Sequence, residues 1–194
     1  MRYEAEHKQR TRERVVQEAS EAIRRHGPGK VGVAALMAKA GLTHGGFYAH
    51  FKSKDDLVVA AISHMFDDQY ERFTKWTEGM PPAQAIGHFI ERYLSPLHRD
   101  HPEKGCPVAA LSAEVGRMSS KARKGFDAGV SRMVRGLADL IRALPRPDAD
   151  TLATSVLAEM VGALAISRAV ADPNLSRKTL EAARQSVKAR IGLG

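Results

Sequence analysis

The fold predicted for this 194-residue chain is all-α, and three observations predict it. Apolar residues return at spacings of three and four along most of the chain, no segment alternates as a β-strand would, and Gly- or Pro-containing breaks mark off about eight or nine helical segments. The expected architecture is a small N-terminal three-helix head, residues 1–54, on a larger helical body, residues 55–194.

In order, the polar residues 1–9 are expected to fray. From about Gln9 to His26 the residues Val15, Val16, Ala19, Ala22 and Ile23 make one apolar stripe, with Arg10, Arg12, Arg14 and Arg24 elsewhere on the helix. Gly27–Pro28–Gly29 ends it. A second helix spans about Val33 to Lys39, with Leu36 and Ala40 inward. Gly41 then stands at the position where positive φ is needed and costs glycine least. Thr43 is placed to cap a third helix, His44 to about Phe51, with Phe47 and Phe51 inward and His44, Tyr48 and Ala49 outward. Ser53 caps a fourth, opened by Asp55 and Asp56 at the positive end of its dipole. Its apolar residues from Leu57 to Phe73 continue for about five turns, until Gly79–Met80–Pro81–Pro82 breaks it.

The body continues in the same manner. Ala85, Ile86, Phe89, Ile90, Tyr93, Leu94 and Leu97 form a stripe, Asp100 to Gly105 reads as a loop, and Pro107 suits the first turn of a helix. Ser119 or Ser120 starts the next, which Pro145 and Pro147 close. Asp148 or Asp150 is the expected cap of a long helix to about Ala171. After Asp172–Pro173–Asn174 a last helix runs from Ser176 to Ile191.

Charge is unevenly spread. Residues 1–54 hold 11 Lys/Arg against 5 Asp/Glu, whereas the remaining 140 hold 19 against 17. A basic first quarter attracts a polyanion, with nucleic acid ahead of an anionic membrane because the head has no wide exposed apolar face. The single cysteine, Cys106, excludes an intrachain disulfide and suits a reducing compartment. The charged N-terminus does not read as a secretory signal, and the apolar run Val156–Val170 is interrupted by Glu159, Ser167 and Arg168. A cytoplasmic protein with no membrane partner is therefore expected.

Two short helices joined by a Gly turn, the second of them basic-flanked and small at its start, form a helix-turn-helix. Gly45 and Gly46 allow close approach to the major groove, about 12 Å wide. Base discrimination then rests on Thr43, His44, Ala49 or His50, while Tyr48 and Lys54 are placed for phosphates.

The stretch AxxMAKAGLTHGGFYAHFKSKDDL, ending at Leu57, closely resembles the N-terminal domain of TetR-family transcriptional regulators. Ala40–Gly41–Leu42–Thr43 is similar to the family's turn, Gly46–Phe47–Tyr48–Ala49–His50–Phe51 to its GxLYxHF recognition helix, and Ser53–Lys54–Asp55–Asp56–Leu57 to the opening of its fourth helix. The resemblance implies phosphate contacts from Tyr48 and Lys54. It places His44, Gly45, Ala49 and His50 at or near base edges, and it implies a palindromic duplex operator bound by a homodimer paired through the last two helices. Val31–Gly32 departs from the family's Thr-Ser, removing a hydroxyl cap from the second helix, and Met37 stands where Ala is usual.

In the penultimate helix Ala153, Val156, Leu157, Met160, Val161, Leu164 and Ala165 form a broad apolar face, which Gly162, Ala163 and Ile166 extend around the helix, and in the last Leu180, Ala183, Val187 and Ile191 form a stripe. These are the expected dimerisation faces. A small-molecule effector pocket is expected among Phe66, Trp76, Phe89, Tyr93, Cys106, Met118, Phe126 and Met160. Cys106, at a helix start beside Lys104, is in a position where dipole and cation would lower its thiol pKa and make it a candidate electrophile sensor. His88, Glu91, His98, His101 and Glu103 lack a convincing ligand spacing, so neither a metal nor a cofactor is expected. No nucleophile elbow or phosphate loop appears, so an enzyme is not expected. The functional expectation is a sequence-specific DNA-binding regulator, a repressor released by a small organic effector or electrophile. The alternative is a dimeric ligand-binding or interaction protein without specific DNA recognition.

Overall fold

A computed structural model describes residues 2–146 and 148–193, without the side chains of residues 2–5 and of His44; Pro147, read above as one of two closing prolines, lies outside the described residues. Among the described residues nine α-helices follow one another: α1 Arg2–His26, α2 Val33–Lys39, α3 Lys54–Thr77, α4 Pro82–Tyr93, α5 Pro96–Asp100, α6 Pro107–Val115, α7 Ser120–Arg142, α8 Ala149–Ala169 and α9 Pro173–Ile191. Short 3₁₀ turns lie at His44–Ala49 and Pro102–Lys104. No strand occurs among the described residues.

Local chemistry sets most boundaries. Ser53 and Ser119 accept the amides of Asp56 and Ala122 at 3.1 and 3.2 Å, capping α3 and α7. Asp172 caps α9 by accepting from Asn174 at 2.9 Å, so Pro173 becomes the first helical residue and α9 begins earlier than expected. Ser95 caps α5, a turn of helix not expected from the sequence, and the segment read as a loop after it contains the second 3₁₀ turn. Asp148 precedes α8 but its side chain makes no capping bond. The first helix begins at Arg2 rather than fraying to Gln9, since Glu, Ala, Lys, Gln and Arg are all good helix formers.

The long helix α3 is the axis of the molecule. Its Leu57, Val58, Ala61 and Ile62 end packs on α1, and its Met65, Phe66 and Phe73 end packs on α4 and α7. The Ser20 hydroxyl ties α1 to α3 by donating to the carbonyls of Val16 (2.7 Å) and Ala61 (3.2 Å). At the α3–α7 crossing Phe66 lies against Gly129, where an added Cβ would come within 2.2 Å of the ring. Only a residue without a side chain admits that approach.

The last two helices depart from the expectation in one respect. Ala153, Val156, Leu157, Met160 and Leu164 of α8 and Leu180, Ala183, Val187 and Ile191 of α9, read above as interface, are buried within one chain against α7, α4 and each other. They form core because two helices with one broad apolar side each bury it first against their own neighbours. Among what α8 and α9 leave exposed is one row of mostly small residues on each, Ser155, Ala158 and Ala169 with the larger Ile166 on α8, and Ala182, Ser186 and Ala189 with the larger Leu175 on α9. By length and composition alone Ala149–Ala169 is apolar enough to cross a bilayer, with mean hydropathy 1.4, a correction to the view that its polar residues interrupt it. Its packing into the bundle accounts for that apolarity equally well.

Candidate nucleic-acid interface

The head is built from closures a few residues long. α2 starts at Gly32, which supplies no side-chain cap, in keeping with the missing hydroxyl. At its far end Gly41 adopts φ +70°, the Gly41 amide donates to the Ala38 carbonyl at 2.9 Å and the Leu42 amide to that of Met37 at 2.8 Å. That pair of bonds is the Schellman closure, and it reverses the chain toward the next element. Met37, where the family usually has alanine, is fully buried, and its Cε approaches Gly46.

Thr43 accepts the Gly46 amide on Oγ1 at 3.3 Å, capping the segment His44–Ala49 as expected. That segment is wound as 3₁₀ rather than α-helix. Two consecutive glycines lower the α-helical preference, and the tighter winding suits a short run. Phe47 and Phe51 are buried and stacked with centroids 5.5 Å apart, and the Arg12 guanidinium lies over Phe51 at 5.0 Å. With these two rings anchored inward, Tyr48 is driven outward and is 67% exposed.

The sequence-derived contact residues thus fall on one short surface. Thr43, Gly45, Tyr48, Ala49 and Lys54 are exposed and Gly46 is partly so; His44 has its backbone on the same segment, its side chain lying outside the described residues. A Cβ added at Gly45 would meet nothing within 4 Å, so this end of the segment is open to an incoming surface. His50 differs. It is half-buried with Nδ1 enclosed and unpartnered, and burial, then Lys8 and Arg12, hold its pKa below the usual histidine value. Its ring is neutral at pH 7 and turned partly into the head.

In the body, the eight residues named as pocket candidates do not surround one cavity. Phe66, Phe89, Tyr93, Cys106, Phe126 and Met160 are buried in the continuous core, and Met118 packs against it. Trp76 alone of the eight lines an open cleft of about 340 Å³ between α3 and the α4–α5 segment, together with Gln69, Arg72, Arg92, Leu97 and Lys104. Sequence reasoning missed these polar partners because it looked for apolar residues. The available signal was Gln69, Arg72 and Trp76 at helical spacing on one side of α3.

Cys106 reverses its expectation. It is fully buried, and burial pushes its thiol pKa up despite the adjacent helix start, while Lys104 is exposed. The Cys106 amide donates to Nε2 of His98 at 2.9 Å, so His98 carries its proton on Nδ1 and donates to the Tyr93 carbonyl at 2.7 Å. Burial lowers the His98 pKa to about 4, which keeps this bridge neutral. The Tyr93 hydroxyl, with no nitrogen or oxygen partner, faces the thiol.

Four of the five residues weighed as metal ligands, Glu91, His98, His101 and Glu103, have other partners. Glu91 pairs with Arg184 and Lys188, and Glu103 with Arg25 and His101. Among the described residues no three His, Cys, Asp or Glu side chains gather at one point.

Comparison with known proteins agrees with this geometry. Residues 15–61 match the family model described as bacterial regulatory proteins, tetR family, and residues 82–184 match that of the transcriptional regulator LmrA/YxaF-like C-terminal domain. A TetR transcriptional regulator from Chloroflexus aurantiacus J-10-FL superposes with a TM-score of 0.82 at 27% identity, over 99% of this chain and 97% of that one. The reduced form of NemR from Escherichia coli superposes with a TM-score of 0.81 at 22% identity, over 92% and 95% of the two chains. In sequence the HTH-type transcriptional repressor NemR of E. coli K12 is 24% identical over 127 residues, which are 64% of this chain and 63% of that relative. The matched second model spans more than half of the chain. Its helix-turn-helix head, its all-helical body and these matches make the protein a member of the TetR family of bacterial transcriptional regulators.

Proposed function

We propose that this protein is a homodimeric, cytoplasmic transcriptional repressor that binds a palindromic duplex operator and is released from it by a small organic effector. The observation that carries the reading is the surface at Thr43–Lys54: small and polar residues exposed around an open glycine, presented by two buried phenylalanines on the most basic part of the chain. Thr43, His44, Gly45, Gly46, Ala49 and His50 are assigned to the groove, with His50 partly withdrawn, and Tyr48 and Lys54 to phosphates. The repressor sense is supported by the name of the E. coli relative, a transcriptional repressor.

Pairing is assigned to the exposed rows of mostly small residues on α8 and α9, which permit close helix approach without uncovering the core. The division at residue 54 is kept as head and body, with α3 the element that leaves one and enters the other. Release is a coupled equilibrium in which effector and operator prefer different spacings of the two heads. The buried, pKa-raised thiol favours non-covalent release over electrophile capture, although a conformational opening would expose it.

In-vitro selection of bound duplexes from a random library, at physiological salt, tests the proposal. An enriched inverted repeat is expected. On that duplex Tyr48→Phe and Lys54→Ala should each weaken binding, and Lys54→Ala should in addition reduce its salt dependence, with dimer mass unchanged. A folded dimer that enriches no sequence would sink the operator reading and leave the ligand-binding alternative.

A further inference from the structure

The cleft on α3 has a chemistry of its own. Three permanent cations, Arg72, Arg92 and Lys104, line it, and no carboxylate does. Among the described residues none of the three forms an ion pair with an acidic side chain, whereas six other arginines of the body do. Arg92 lies over the Trp76 ring at 5.4 Å, leaving its charge on the cleft side of an aromatic wall.

Two donors deeper in the cleft have no acceptor. Gln69 is only 1% exposed, and its Nε2 makes no hydrogen bond. Nη2 of Arg72 is likewise enclosed and unpartnered. Buried donors are nearly always satisfied, so two of them on residues that line one cavity point to a missing acceptor. Burial draws the Arg72 pKa down against the opposing pull of Asp68, Cys106 and Glu71. Beside this polar floor the cleft is apolar: Trp76 forms one wall, and Leu97 projects into it 62% exposed. A volume of about 340 Å³ admits a molecule of one or two fused rings.

We infer that the cleft binds a small organic anion with a planar apolar body, its acidic head held by Arg72, Lys104 and the Gln69 amide and its body laid on Trp76 and Leu97. Inorganic phosphate supplies the head without the body and fills the site poorly. A neutral amide of the same shape offers one carbonyl acceptor in place of a charged pair of oxygens, and leaves the cations unmatched. The inference rests on the regulator proposed above for its consequence: α3 carries the cleft residues on its later turns and Lys54 on its first, so a ligand that draws on Gln69 and Arg72 acts on the helix that leaves the DNA-contacting head.

Binding is tested without DNA, by calorimetric titration of the full chain with 1-naphthoate, its neutral counterpart 1-naphthamide, and inorganic phosphate. Saturable binding of 1-naphthoate is expected, with 1-naphthamide and phosphate each weaker by roughly tenfold or more. Arg72→Gln should lose most of that preference. Lys104→Gln, an exposed position that does not threaten the fold, should weaken 1-naphthoate several-fold and leave 1-naphthamide unchanged. Equal affinity for the acid and the amide, absence of saturable binding, or indifference to Lys104→Gln in a folded protein overturns the inference. If duplex selection fails while these preferences hold, the operator reading falls and the cleft stands; the converse result removes the cleft alone.

Discussion

Head and body differ in how far their polar ties reach. In the head, Thr43 and Ser53 close their turns on amides three residues on, and the Leu42 amide returns to Met37. The body has such caps too, at Ser95, Ser119 and Asp172, and adds ties between segments 70 to 93 residues apart. Arg168 donates to the His98 carbonyl across 70 residues at 2.6 Å, Arg99 to the Ser176 hydroxyl across 77, and Arg184 to Glu91 across 93. A surface made by local closures keeps its shape through small movements of the whole. A cavity walled by distant segments changes whenever those segments shift. The same division places a rigid reading surface on a body able to respond.

The sharpest way to break the contrast is to damage the body and ask whether the head notices. Met160 is fully buried at the centre of α8, and Met160→Ala should cost about 2–5 kcal/mol in unfolding free energy, measured by denaturant titration. At a temperature where the variant is folded, affinity for the selected duplex per dimer should change little. A parallel loss of both would show the two regions to be one cooperative unit.

A second test uses the neutral bridge from Tyr93 through His98 to Cys106. Folding lowers the His98 pKa to about 4 from an ordinary 6.5, so the unfolded chain takes up the proton first. The stability contributed by the neutral ring is complete above about 6.5 and is lost as pH falls through that value toward about 4. His50 titrates in the same direction, and the comparison is therefore with His98→Asn. The variant should show a shallower fall in thermal midpoint over that interval, by the equivalent of one proton; superimposable curves would assign the pH dependence elsewhere.

The smallest effect on stability is expected in the head. Gly45 has open space where a Cβ would stand and lacks a positive φ, so Gly45→Ala should leave the unfolding free energy within about 0.5 kcal/mol. Its methyl should nonetheless weaken or re-specify binding to the selected duplex. Unchanged affinity and sequence preference would take Gly45 off the contacting surface.

These contrasts explain what was legible beforehand. The Gly41 turn, the Thr43 and Ser53 caps and the inward pair Phe47 and Phe51 follow from residues within one or two turns of each other, and all were read correctly. The faces of α8 and α9 were misassigned because apolar periodicity identifies a buried side without naming its partner. Cys106 was misread for a related reason. A helix start and a neighbouring lysine are visible in sequence, whereas the burial that outweighs them comes from α3, α4 and α8 folding over it.

By itself, then, the sequence determined the long helices, the caps at Thr43 and Ser53, the turn at Gly41 and the family, since each depends on local backbone preference and on short motifs. Only the tertiary structure decided which apolar stripe became core, which way the thiol titrates, and that Gln69, Arg72, Arg92 and Lys104 share a cleft. Those outcomes depend on segments far apart in the chain meeting in three dimensions, where burial and the absence of an opposing charge act on a group irrespective of its neighbours in sequence.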